Sequence, residues 1–418
     1  MPDQAQVNGE RLLKRLDDFA AIGATPAGGV NRQALSVKDR EARRLLAELA
    51  LTRGFQVFQD PMANLFIRRG GRGDDVPPFL IGSHLDSQPT GGRFDGALGT
   101  LAAFEALESL EDAGIETEAP LEVVAWTNEE GSRFSPGCMG SMAFFLKAIP
   151  AEWNDLRGST GEVFSEELHA TLEALPEARM RPLGFPIMGY LELHIEQGPS
   201  LERENIPIGI VYGIQGTRWL EITITGQASH AGTTALSFRR DPMTAAVTAL
   251  KTLFDTVMPQ DELARFTVGR FAVDPGSVNA VPASVTFTVD LRHPDARTLD
   301  RLEALSVKTC TNAAASAGCS AQSRRFSEMS PASFPEELLA CLDRAARGQM
   351  LTTKRMLSGA FHDALFMSHV APAAMIFVPC RDGLSHNEAE YVEPAHSIAG
   401  ARMLLASTLQ ALSSLGPK

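Results

Sequence analysis

His84, Asp95, the pair Glu129-Glu130, His194 and His386 fall in short segments that each read as the end of a strand or the loop after it. Their side chains are imidazoles and carboxylates without a thiolate, the donor set that suits Zn, Mn, Co or Ni and leaves the metal open to water. The first segment is Gly82-Ser83-His84-Leu85-Asp86-Ser87, which runs through Pro89-Thr90-Gly91-Gly92-Arg93-Phe94 into Asp95-Gly96. The second, Thr127-Asn128-Glu129-Glu130-Gly131-Ser132, directly follows the apolar run Val123-Val124-Ala125-Trp126. Leu193-His194-Ile195-Glu196-Gln197-Gly198-Pro199 and Ser385-His386-Asn387-Glu388 complete the set. Adjacent glutamates in a loop allow one carboxylate to bind metal while its neighbour stays unbound beside a water and takes its proton. Alone, each residue reads more simply: a His or Asp-Gly as a cap or turn, a Glu pair as a solvated face. Together they have the composition of a two-metal hydrolase centre.

The elements that must position them alternate. Leu35, Val37, Ala42, Leu45, Leu46 and Leu49 have helical spacing, Phe79-Leu80-Ile81 is a short buried-strand run, and Leu98, Leu101, Phe104, Leu107 and Leu110 form a helical face starting just after Asp95. This rhythm predicts an α/β fold, a mainly parallel sheet with flanking helices, in which ligands collect beyond the carboxyl ends of the strands. After about Tyr212 the pattern changes. Leu220, Ile222 and Ile224 alternate with polar residues, and Asp241-Pro242 starts a helix. Strands near Phe266–Val273 and Val285–Arg292, a helix through Leu299, Leu302 and Leu305, and a strand near 321–328 follow. That order predicts an inserted α+β, ferredoxin-like domain at 213–329, within a discontinuous domain of 1–212 and 330–418. Leu338, Leu339 and Leu342, then Ala374–Val378, then Ile398, Ala401, Leu405 and Leu409 resume the first pattern.

A chain of 418 residues with 44% hydrophobic residues exceeds one core and can fill two. Its formal net charge of -13 argues against a nucleic-acid partner. No stretch approaches a membrane span, and the polar start at Met1–Val7 reads as no leader. Five cysteines, Cys138, Cys310, Cys319, Cys341 and Cys380, form no CxxC pair, so a cytoplasmic location is expected.

From Gly28-Gly29-Val30-Asn31-Arg32 to the segment around His386, these motifs resemble the amidohydrolase branch of the di-metal exopeptidase superfamily. That branch comprises the N-carbamoyl-L-amino-acid hydrolases, the metal-dependent β-ureidopropionases and the allantoate amidohydrolases. The resemblance implies two divalent ions per subunit, with His84, Asp95, Glu130, His194 and His386 as ligands and Asp95 bridging. Glu129 would be the general base for a metal-bridging hydroxide. It further implies that Arg292 and Asn279 hold a substrate carboxylate and that His230 polarises the scissile carbonyl from a partner subunit. Gln197, Gln215 and the backbone at Gly359-Ala360 would contact substrate. The partners implied are a small ureido acid and a second copy of the chain, joined through the inserted lid domain. Phe361 stands where many relatives carry glycine, and His362 reads as a supporting residue.

Two other readings compete. An exopeptidase or aminoacylase of the same superfamily usually follows the paired glutamates with an Asp or Glu ligand, whereas this chain has His194 there. A catalytically dead scaffold would lack a ligand or the base, and all are present. The ureido acids themselves, N-carbamoyl-L-α-amino acids, N-carbamoyl-β-alanine and allantoate, share a ureido group and a carboxylate.

Overall fold

Four strands, Phe79–His84, Leu121–Trp126, Gly189–Ile195 and Ala373–Val378, are buried along their whole length in the computed structural model, which describes residues 5–73 and 75–415. Their near-continuous apolar runs explain this, because a parallel strand covered on both faces has no side to give to water. Side chains such as Leu80, Ile81, Val123 and Ile376 are fully buried, each contributing roughly 1.5–3 kcal/mol. The four lie side by side and parallel, Ala373–Val378 against Gly189–Ile195, that strand against Phe79–His84, and Phe79–His84 against Leu121–Trp126. Antiparallel strands extend the sheet, Ile208–Ile214 on one side and Leu65–Arg69 on the other. Gly82 sits inside its strand at φ 153°, and a Cβ there would come within 2.0 Å of the Val124 carbonyl oxygen. Only glycine permits that approach. Residues 1–4, which carry most of the polar start, lie outside the described residues.

The helices Val37–Thr52, Ala97–Asp112 and Pro394–Leu415 flank this sheet. Ser36 caps the first by accepting from the Asp39 amide. Ala97–Asp112 starts two residues after Asp95, as its leucine spacing predicts, and buries all but its last two residues.

The chain divides into two compact units, Met1–Tyr212 with Ser333–Lys418 and Gly213–Ala332. Within the second, strands Gly216–Thr225, Ser284–His293 and Ser320–Met329 form an antiparallel sheet. Burial alternates residue by residue along Ser284–His293. The helices Pro242–Gln260 and Ala296–Ser316 bring Ala245, Ala249, Leu253, Leu299 and Cys310 onto that inner face. Asp241 caps the first helix through Met243 and Thr244, with Pro242 in its first turn. The strand expected at 266–273 is two, Arg265–Thr267 and Phe271–Asp274, both paired with Ser284–His293. Four steps separate Thr267 from Phe271, but only three separate their partners Asp290 and Phe287. The extra residue is a β-bulge around Gly269. Among the described residues no helix is long and apolar enough to cross a membrane.

Candidate metal centre

The parallel strands deliver the cluster at their carboxyl ends. His84 is the last residue of its strand and His194 the last but one of its own. Leu121–Trp126 runs directly into Thr127–Glu130, and Ala373–Val378 leads to the loop carrying His386. The ligand atoms of two residue groups lie within 4.8 Å of one another: His84, Asp95 and His194 form one, Asp95, Glu130 and His386 the other. Asp95 belongs to both. Its Oδ1 is 3.5 Å from His84 Nε2 and 3.1 Å from His194 Nε2, and its Oδ2 is 3.6 Å from His386 Nε2. Glu130 Oε2 stands 3.3 Å from the same His386 nitrogen. Glu129 lies outside both groups, its Oε2 3.4 Å from His84 Nε2.

Two of the three imidazoles are fixed from behind, while the His386 side chain is 52% exposed. His84 Nδ1 is 2.9 Å from the Asp86 carbonyl oxygen and His194 Nδ1 is 3.0 Å from that of Ile195. A carbonyl only accepts, so Nδ1 carries the proton and Nε2 presents its lone pair forward. Both Nε2 atoms are buried without a hydrogen-bond partner, an arrangement that costs stability unless a cation accepts the lone pair. Burial pushes the Glu129 carboxyl well above the usual range, against the pull of His84, and Asp363, Glu130 and Asp95 add to the rise. Burial and Asp95 do the same to Glu130. For Asp95 burial also acts upward, yet the His194 and His84 imidazoles hold it well below the usual range. Divalent cations held by these residues would offset that cost and favour the ionised form of Glu129 and Glu130. The donor set therefore fits a pair of hard or borderline cations.

Comparison with known proteins gives this geometry a family. Residues 80–410 match the model of "Peptidase family M20/M25/M40". An N-carbamoyl-L-amino-acid amidohydrolase of Rhizobium meliloti is 38% identical, with 98% of this chain and 97% of that protein covered. A second, of Geobacillus stearothermophilus, is 37% identical over 95% of this chain and 97% of its own. A hydantoinase/carbamoylase family amidase structure from Burkholderia multivorans superposes with a TM-score of 0.92 at 40% identity, covering 99% of this chain and 100% of that one. The chain belongs to the M20/M25/M40 peptidase family. It is a hydrolase of carbon–nitrogen bonds other than peptide bonds, in the amidohydrolase branch that its motifs resemble.

Around the M20 cluster stand residues that the sequence offered no reason to single out. Asp86, fully buried, accepts from the amides of Glu129 at 3.3 Å and Glu130 at 3.2 Å, so it holds the acidic pair in place. Glu390 takes the amides of Phe94 and Asp95 at 2.9 and 3.0 Å. Gln88 Nε2 donates to Glu130 Oε2 at 2.8 Å. The one available signal was position, since Asp86 and Gln88 follow His84 in the same loop and Glu390 follows His386. Gln197, expected at the substrate, donates instead to Asp95 Oδ2 at 2.9 Å and to Ser385 Oγ at 3.1 Å. Ser358 Oγ accepts from the Ala360 amide at 3.1 Å and lies 3.0 Å from His362 Nε2, which shapes the Gly359-Ala360 turn. The His362 ring packs edge-on against His194, centroids 4.4 Å apart.

The remaining expected residues of this M20 chain lie in the second unit. His230 pairs with Ala280 in a small two-stranded sheet, and the Ala231 amide donates to the Asn279 carbonyl, so His230 and Asn279 are neighbours. His230 Nδ1 accepts from the Gly232 and Thr233 amides at 3.1 and 3.2 Å, which leaves its exposed Nε2 as the proton donor. Arg292 pairs with Asp290 at 2.9 Å, and the buried Gln215 donates to the Leu263 carbonyl.

Proposed function

We propose that this chain hydrolyses the carbamoyl C–N bond of N-carbamoyl-L-amino acids, giving the amino acid, carbon dioxide and ammonia. The observation that carries the reading is Asp95 shared between two ligand groups while Glu129 stands beside them, outside both. The names of the relatives supply the substrate class. His84, Asp95 and His194 would hold one divalent ion, and Asp95, Glu130 and His386 the other. Such ions, of Zn, Mn, Co or Ni, would lower the pKa of bound water to about 7 and polarise the substrate carbonyl. Glu129 takes the proton of the attacking water and returns it to the leaving nitrogen. Asp86 keeps Glu129 and Glu130 aimed by holding both amides. Arg292 and Asn279 bind the carboxylate of the substrate, for which a planar guanidinium fork is well shaped. His230, with a proton on Nε2, donates to the carbonyl oxygen in the site of a partner subunit, so the working unit is a homodimer joined through the second unit. Five free cysteines suit a cytoplasmic location.

The test is a panel of N-carbamoyl-L-α-amino acids, N-carbamoyl-β-alanine, allantoate and N-acetyl amino acids, assayed after chelation and reloading with each metal. Ammonia release should be fastest from an N-carbamoyl-L-α-amino acid and should vanish in the chelated protein. Preference for an N-acetyl amino acid, or full activity after verified metal removal, contradicts the proposal. For the dimer, inactive His230→Ala and Glu129→Gln chains are mixed; recovery of up to about half the sites in the heterodimer is expected. No recovery after confirmed subunit exchange means that His230 acts in its own chain or not at all.

A further inference from the structure

The segment Gly28-Gly29-Val30-Asn31-Arg32 precedes the residues matched to the family. Arg32 is 2% exposed, among the most deeply buried charged side chains of the molecule. Its guanidinium makes no hydrogen bond to a carboxylate among those described. Instead Nε donates to the Leu85 carbonyl at 2.7 Å, and Nη1 donates to the carbonyls of Phe19 at 2.7 Å and Ile22 at 3.0 Å. Phe19 lies in the last turn of the helix Gly9–Ala20, where the helix dipole favours a cation; its carbonyl also accepts from the Ile22 amide. Burial holds Arg32 down to about 10, opposed by Asp39 and Asp86, so it is still protonated at neutral pH. Burying such a charge is unfavourable unless good geometry offsets the lost hydration.

The Leu85 carbonyl marks what that geometry achieves. Leu85 is the residue between His84 and Asp86. The Asp86 carbonyl orients the His84 ring, and the Asp86 carboxylate holds the Glu129 and Glu130 amides. The same segment is stitched to this loop along its backbone. The Arg32 amide donates to Ser87 Oγ, the Ser87 amide to the Arg32 carbonyl, and Val30 and Gly91 exchange both backbone bonds. At its other end Thr25 bonds to Glu388, two residues beyond His386.

We propose that Arg32 is a positioning residue for the metal centre, fixing the Leu85 peptide against the first helix so that His84 and, through Asp86, both glutamates are held in place. The inference rests on the two-metal reading above. Arg32→Met keeps the length of the stem and removes every donor; Arg32→Lys keeps the charge but replaces the planar fork by a compact ammonium. Both are compared with wild type by competition with a chromogenic chelator for Zn, Mn, Co and Ni, and by thermal unfolding of the metal-free chain. Loss of partners that orient ligands typically weakens metal binding roughly 10- to 100-fold, and that range is expected for Arg32→Met, with Arg32→Lys between it and wild type. Affinity per folded molecule equal to wild type, with only the metal-free unfolding temperature lowered, would falsify the positioning role. If Arg32→Met does not fold, Arg32→Lys decides, and wild-type affinity in it overturns the proposal. A wild-type chain that binds none of Zn, Mn, Co and Ni sinks the two-metal reading, and this inference with it.

Discussion

The cluster around Asp95 and the residues around His230 differ in how finished they are. In the first, His84, His194, Asp95 and Glu130 have side chains at most 4% exposed, and every one is held by a neighbour behind it. In the second, His230 and Asn279 are exposed, and Arg292 spends its charge on Asp290 two residues away. One region is organised before anything binds. The other keeps local partners that the proposed substrate carboxylate would have to displace, at the cost of part of the binding energy. On the function proposed above, bond-breaking would rest on strand ends already held in place, and recognition on groups that must exchange local partners.

Four substitutions sharpen that contrast. Asp95→Asn should be the most severe, because it weakens the carboxylate common to both ligand groups. Metal content by elemental analysis should fall, and activity should fall by more than the roughly 100- to 10,000-fold expected on losing a general base. Retention of two tightly held ions would remove Asp95 as the bridge. Glu129→Gln should reduce turnover by roughly 100-fold or more while metal content stays that of wild type. Near-normal turnover with full metal excludes Glu129 from proton transfer. Arg292→Lys should act on the substrate side alone, raising KM by about ten- to a hundredfold through loss of a charge-assisted fork worth roughly 1.5–3 kcal/mol. An unchanged KM with a fallen kcat assigns Arg292 to the wrong task. Asp241→Ala, which removes the cap of Pro242–Gln260, should lower stability by only about 1 kcal/mol and leave KM alone. Denaturant titration beside steady-state assays separates the two.

Much of the first region was legible in the sequence, for a physical reason. A fully buried parallel strand has to be apolar throughout, so Val123–Trp126 and Ala374–Val378 announce themselves, and polar residues directly after such a run fall at the sheet's carboxyl edge. That is how His84, the pair Glu129-Glu130 and His194 read as strand-end residues, while the family resemblance of the motifs supplied the ligand set His84, Asp95, Glu130, His194 and His386. Asp241-Pro242 marked its helix start because the cap is written in two adjacent residues. What the sequence hid depends on contacts far apart along the chain. Asp86 reaches amides at 129 and 130, Glu390 reaches those at 94 and 95, and Arg32 reaches Leu85. No periodicity encodes such pairs. The bulge at Gly269 was hidden as well, since its extra residue is visible only against Ser284–His293.

Two glycines translate the contrast into the language of evolvability. Gly96, at φ 64°, follows Asp95 so closely under the His84 ring that a Cβ there would lie 2.3 Å from the imidazole Cε1. A Cβ at Gly359, in the turn that leads to Phe361, meets nothing within 4 Å. Selection can therefore explore side chains at 359 and not at 96. With Gly359 at the substrate, as the family resemblance implies, a lineage descending from this sequence would have room to drift in what it accepts while inheriting the metal cluster unchanged.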